Sequence, residues 1–249
     1  MKDKSWEKFG STDPYYAVCT QPQYKSNNLD GQSLEEFFNS GKDHVTEVLK
    51  NLREKFGLEN NHFFANVLDF GCGTGRLLIP FSDHAKKIVG IDISQPMIDE
   101  AEKNLAIRNI SNVDLIKSTD ISDLNLSVCF DLVHSYIVLQ HIPTEKGYTI
   151  IDKLISIVCK GGYGALHLTY ANHKSTFKNK IYAVKNRYFW IRKLGFLLQG
   201  KPINTPVMQM NNYNIEKVFR IFLSHSITKI SVDFTDHGGF LGAMIYFKK

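Results

Sequence analysis

The chain has 249 residues, 43% of them hydrophobic and 22% charged, with a formal net charge of +5. That length suits one domain with at most a modest insertion, and the balance excludes disordered and fibrous classes. No run approaches the roughly 18 apolar residues of a membrane span, and Met1 to Gly10 is polar and lacks a signal-peptide core. The four cysteines (Cys19, Cys72, Cys129, Cys159) lie far apart and form no C-x-x-C pair. A cytoplasmic protein with reduced thiols and no zinc site is therefore expected.

Residues 1–62 precede the first strand. Aromatics (Trp6, Phe9, Tyr15, Tyr16, Tyr24) are mixed there with polar residues. A helix begins over Leu34 to Phe38, Gly41 interrupts the pattern, and Val45, Val48, Leu49, Leu52 and Phe56 mark an amphipathic helix from Asp43 that stops at Gly57. Val67 to Phe70 then reads as a buried strand. It ends in three alternate glycines, Gly71, Gly73 and Gly75, and a helix over Gly75 to His84 follows.

Glycines in such a turn let backbone approach a bound group, and the helix start offers free N–H groups. Asp69 sits at the strand's carboxyl end, where open α/β sheets hold their ligands. A dinucleotide fingerprint would place its third glycine where Arg76 stands, so that class fits less well.

Strand and helix alternate onward: a strand to Asp92, a helix over Pro96 to Arg108, a strand over Val113 to Ile116 and the turn Thr119-Asp120-Ile121. A strand from Phe130, a helix over Thr144 to Cys159 and a strand over Gly164 to Tyr170 complete the series. This order forces a mainly parallel sheet with right-handed crossovers.

Residues 172–212 break the rhythm with a basic, aromatic stretch. From Lys153 through Ile215 there is no Asp or Glu but ten Lys or Arg. Facing a pocket, that window would attract anions; otherwise it is a solvated face balanced by Asp99, Glu100 and Glu102. Residues 213–249 return to pattern, with a helix over Asn214 to Ser224 and strands over Ile227 to Phe234 and Phe240 to Phe247 joined by a hairpin-like turn.

Asp69-x-Gly71-x-Gly73-x-Gly75 resembles motif I of the class I S-adenosylmethionine (SAM)-dependent methyltransferases. The acid ending strand two, the Thr-Asp-Ile turn, the segment Phe130 to Pro143 and the glycine turn before strand five extend the resemblance over residues 63–171. It implies an α/β, Rossmann-like, seven-stranded, mostly parallel sheet with helices on both faces, its last strand antiparallel beside strand five. It implies SAM as cofactor, held by Asp69, Gly71, Cys72 and Gly73. Asp92 would bridge the ribose hydroxyls with Ile93 and Met97 nearby. Asp120 and Ile121 would contact the adenine, with Ser135 and Tyr136 from the fourth strand. In such enzymes an N-terminal segment often covers the cofactor, and an insertion after strand five often caps the substrate. For 172–212 a dimer interface or a membrane-surface helix also fits.

Methyl transfer to a hydroxyl needs a base near the methyl. His141, just after strand four in Leu-Gln-His-Ile-Pro, is the candidate catalytic residue, although a histidine that only orients substrate fits the same position. Tyr16, Gln140, Tyr170, His173 and His237 are candidate substrate contacts. His167 reads as a core histidine, and His44, His62, His84 and His225 as structural. No cluster has metal spacing, so metal-independent transfer is expected. The resemblance extends to bacterial enzymes of surface-polysaccharide pathways. The acceptor expected is a small anionic metabolite methylated on oxygen: a phosphorylated or nucleotide-linked sugar, or a carboxylate. A homodimer is compatible with the sequence; no nucleic-acid partner is expected. RNA or protein methylation, or a non-catalytic SAM-binding subunit, are the alternatives.

Overall fold

The computed structural model describes residues 5–118, 128–173 and 208–249. Seven strands form one sheet: β1 (Phe64–Phe70), β2 (Ala85–Asp92), β3 (Val113–Lys117), β4 (Phe130–Ser135), β5 (Val158–Asn172), β6 (Ile230–Asp236) and β7 (Phe240–Lys248), in the order β3-β2-β1-β4-β5-β7-β6. β1 to β5 pair in parallel, and β7 runs antiparallel between β5 and β6. The expected sheet and the inserted last strand are both present. The chain builds outward from β1 to β3 and then crosses to β4 on the other side. The carboxyl ends of β1 and β4 therefore flank the point where ligands of open α/β sheets bind.

Helices cover both faces: α1 (Ser5–Thr12), α2 (Pro14–Val18), α3 (Gly31–Phe56), α4 (Leu78–Ser82), α5 (Gln95–Ile107), α6 (Thr144–Ser156) and α7 (Ile215–Ser224). Val48 and Leu52 of α3 and Leu78 and Phe81 of α4 pack with Val67, Leu132 and Ala165 on one face. Ile151 and Leu154 of α6 and Val218 and Phe222 of α7 pack with Leu68, Val133 and Leu166 on the other. Alternate strand residues thus bury on opposite faces, as the period of two requires.

Three expectations need correction. The helix before β1 does not break at Gly41: α3 is continuous, opened by Asp30, whose side chain accepts from Ser33 N–H (2.8 Å), and closed by Gly57 at φ 72°. Gly41 is a contact point, because a Cβ there would lie 2.3 Å from the Arg76 carbonyl oxygen. α4 is only five residues long, since Gly71 to Leu77 are taken up by the turn rather than by helix. The thiols are not all reduced: Cys129 and Cys159 form a disulfide with Cα atoms 5.0 Å apart. Pairing of Phe130 with Val158 makes these two neighbours across strands, a proximity that their 30-residue separation hides. Cys19 and Cys72 are free. Boundaries differ elsewhere: α6 stops at Ser156 and β5 starts at Val158, so the Gly161-Gly162 turn lies inside the long strand. Most of 172–212 lies outside the described residues, and nothing among the described helices is long and apolar enough to cross a membrane.

Gly41→Ala tests the α3 contact. Alanine suits a helix interior better than glycine by about 0.5–1 kcal/mol, but overpacking against a backbone oxygen costs about 1–3 kcal/mol. We expect a net loss of stability in urea unfolding. Gly31→Ala on the same helix, with open space around it, should cost nothing; equal behaviour of the two would contradict the packing.

Candidate functional site

The turn after β1 is held by its own backbone. Gly71 N–H and Cys72 N–H both donate to the Ile91 carbonyl (2.7 and 3.0 Å), folding the loop back over β2. Gly71, Gly73 and Gly75 have φ of 82°, 53° and 84°, a region where side chains are strained. A Cβ on Gly71 would also strike Val138, at 2.2 Å. The Gly73 N–H donates to Asp92 Oδ2 (2.9 Å), while Asp92 Oδ1 accepts from Ser94 N–H (2.9 Å). Burial pushes the Asp92 carboxyl up to about 6 against the pull of those N–H donors. Cys72 is a buried thiol, raised well above its ordinary value by burial and then by Asp92. Met97 is buried in the first turn of α5, and Ile93 is exposed just after β2.

The N-terminal arm closes over this turn. Trp6 accepts at its carbonyl from the Ser94 hydroxyl (3.1 Å), and Tyr15 donates its hydroxyl to Glu100 (2.7 Å). Val18 stands 2.9 Å from where a Cβ of Gly73 would be. Tyr16 packs on the Tyr15, Tyr24 and Phe37 cluster with Lys25 5.3 Å over its ring.

On the α3 face a second group of residues assembles that sequence reasoning did not. Asp69 (2% exposed) accepts at Oδ1 from His134 Nδ1 (2.8 Å). The His134 Nε2 meets His44 Nε2 of α3 at 3.0 Å. The Asp69 carboxylate only accepts, so His134 Nδ1 carries a proton, and one proton lies between the two facing Nε2 atoms. His44 stacks on Tyr136 (ring centroids 3.8 Å). Tyr136 in turn lies 5.2 Å from His167 and 6.0 Å from His237. His167 pairs its Nε2 with Thr235 Oγ1 (2.9 Å), and Gly242 leaves the room this needs. Burial lowers all three histidines: His44 well below its ordinary value, His237 less, and His167 to about 3. They are neutral at pH 7.

His44 is thus part of the crevice wall, not the purely structural helix residue its sequence context suggests. The signal for His134 was positional: β1 and β4 pair with Asp69 beside His134, a register visible only once β4 is known to neighbour β1. Tyr136 belongs to this wall too. Ser135 is buried with its hydroxyl given to the Phe70 carbonyl (2.9 Å), so it ties β4 to β1.

The other candidates fall into two groups. His141 is partly buried under Trp6 (5.0 Å between rings), and its Nδ1 meets the Gln209 carbonyl (2.7 Å). A carbonyl only accepts, so Nδ1 carries the proton and Nε2 keeps its lone pair. Burial lowers the His141 pKa. Gln140 is a buried brace, accepting from Thr169 Oγ1 (3.1 Å) and, at its carbonyl, from Asn211 N–H (2.7 Å). Tyr170 packs on Phe234 (5.7 Å). His173 is exposed at the rim, with Nε2 3.8 Å from Asp236. Asp120 and Ile121 lie outside the described residues. Among the described residues no three His, Cys, Asp or Glu side chains are arranged to hold a metal ion.

Residues 67–162 match the model of a methyltransferase domain. Magnesium-protoporphyrin O-methyltransferase of Synechocystis is 34% identical over 92 residues, 36% of this chain and 39% of that protein. Ubiquinone biosynthesis O-methyltransferase of Coxiella burnetii is 28% identical over 137 residues, 55% of this chain and 53% of that protein. The chain thus matches about two-fifths to about half the length of these curated relatives. The crystal structure of magnesium protoporphyrin IX methyltransferase from Synechocystis with bound S-adenosylhomocysteine (SAH) superposes with a TM-score of 0.64 at 18% identity, covering 99% of this chain and 97% of that one.

Proposed function

We propose that the chain, whose residues 67–162 match a methyltransferase domain, is a class I SAM-dependent methyltransferase that moves a methyl group from SAM to an oxygen of a small anionic acceptor. The turn after β1 fits the cofactor. Asp69 Oδ2 and Thr74 Oγ1 are buried there without hydrogen-bond partners, and the positive-φ glycines leave backbone bare. Asp69, Gly71, Cys72 and Gly73 would hold the cofactor, with Asp92 on the ribose and Met97 and Ile93 beside it.

SAM supplies a methyl on a sulfonium, and the protein supplies orientation and a dry site. His141 carries the proposal of an oxygen acceptor: its Gln209 bond leaves Nε2 unprotonated, ready to take a hydroxyl proton. Such transfer needs no metal. The acid-free basic window from Lys153 to Ile215 supports an anionic acceptor, a phosphorylated or nucleotide-linked sugar or a carboxylate, as in surface-polysaccharide pathways, and a cap role for 172–212. SAH release should be followed across such metabolites with bulk tRNA alongside. Turnover of a small anion is expected; turnover of tRNA alone would replace this reading with RNA methylation.

On a turned-over acceptor, His141→Gln should cut kcat by about 10²–10⁴ with SAH affinity unchanged. Because burial disfavours the imidazolium, the acidic limb of the wild-type kcat/KM profile should fall below pH 6.5. Turnover within a few-fold of wild type would remove His141 from proton transfer.

Asp92 makes a separate prediction. Ribose hydroxyls donate to the ionised carboxylate, whose pKa is about 6 in the free protein. SAH affinity should therefore rise as pH increases from 5 to 7 and then level off. Asp92→Asn should bind SAH more weakly and lose that rise. A wild-type affinity flat across this range would contradict the assignment.

A further inference from the structure

Buried polar side chains are nearly always partnered, and each exception needs a cause. Among the described residues three such atoms belong to side chains at or beside the histidine wall. Arg76 Nε, His167 Nδ1 and His237 Nε2 are buried without hydrogen-bond partners. Tyr136 lies against His167 and His237, and Arg76 bonds Ser40, one helical turn from the His44 that stacks on Tyr136. Arg76 is only 7% exposed, and among the described residues its side chain donates one hydrogen bond, from Nη1 to Ser40 Oγ (3.1 Å). No carboxylate pairs with it among the described residues. Its guanidinium lies 5.9 Å from the Phe37 ring centroid, and burying a guanidinium with no anion beside it costs several kcal/mol.

The histidines ask for something different. His167 already uses Nε2 on Thr235, and a neutral imidazole nitrogen suits a hydroxyl rather than a second charge. The back wall is rigid, since His44 is stacked on Tyr136 and fixed through His134 to Asp69 of the cofactor turn.

We propose that the space bounded by Arg76, Tyr136, His167 and His237 is the acceptor site, and that it takes a hydroxylated small anion. A single carboxylate or phosphate lies against the Arg76 guanidinium, and ligand hydroxyls bond His167 Nδ1 and His237 Nε2. This rests on the methyltransferase reading above and names where and how its acceptor is recognised.

The test uses the full chain labelled with 13C-histidine and saturated with SAH. Glucose 6-phosphate, glucose and inorganic phosphate are titrated while the imidazole NMR signals are followed, each signal assigned by a His→Gln variant. Glucose 6-phosphate should shift His167 and His237. It should bind about tenfold more weakly to Arg76→Gln, as expected for loss of a charge-assisted bond of about 1.5 kcal/mol or more. Glucose and inorganic phosphate should each bind more weakly than glucose 6-phosphate. His237 lies in a turn, so His237→Gln tests the site even if His167→Gln, inside the sheet, fails to fold.

Silent histidines, or inorganic phosphate binding as well as glucose 6-phosphate, would overturn the proposal. So would an Arg76→Gln variant that loses SAH but keeps 5′-methylthioadenosine, since the guanidinium would then belong to the carboxylate of the cofactor itself. Failure of wild type to bind SAH would overturn the methyltransferase reading instead.

Discussion

A buried hydrogen bond between Asp69 and His134 is the constraint on which both halves of the crevice depend. It exists because β1 and β4 lie side by side at the reversal of strand order, with these two residues in register at their carboxyl ends. Asp69 leads directly into the glycine turn. His134 leads through His44 to Tyr136. One carboxyl group thus orients the end of the cofactor turn with one oxygen, has the other free for a ligand, and sets the tautomer of the histidine wall. Loss of either partner leaves a buried polar group unpaired, at a cost of about 1–3 kcal/mol.

The helices around the crevice are placed to serve it. α3 runs unbroken past Arg76 because Gly41 allows its backbone to touch the Arg76 carbonyl. That approach sets Ser40 against the guanidinium and His44 against His134. The N-terminal arm brings Trp6 over His141 and Val18 over Gly73, so the cofactor turn and the proposed base are roofed by the same segment. Dry surroundings strengthen every polar contact beneath it.

The parts of the fold legible in the sequence were those written in local pattern. Apolar runs, alternate glycines and an acid at each strand end marked β1, β2 and the turn between them. The hairpin at the chain end was equally plain from the Thr235 to Gly239 turn. Features that depend on which strands become neighbours were not legible. Cys129 and Cys159 meet only because β4 begins beside β5, and Asp69 meets His134 across 65 residues of sequence. Gly41 misled for a related reason: in sequence it interrupts a helix, whereas in space it admits a neighbouring carbonyl. Within the site, a hydrogen bond joins Gly73 to Asp92. Ser135 and Gln140 instead hold the backbone, and Tyr136 lies in the histidine wall.

The most direct measurement is the 15N NMR spectrum of His134 and His44 with and without saturating SAH. The expected result is His134 protonated on Nδ1, with both residues shifting when SAH reaches Asp69. A His134 without a proton on Nδ1, or one unmoved while SAH binds, would contradict the link between the cofactor turn and the histidine wall.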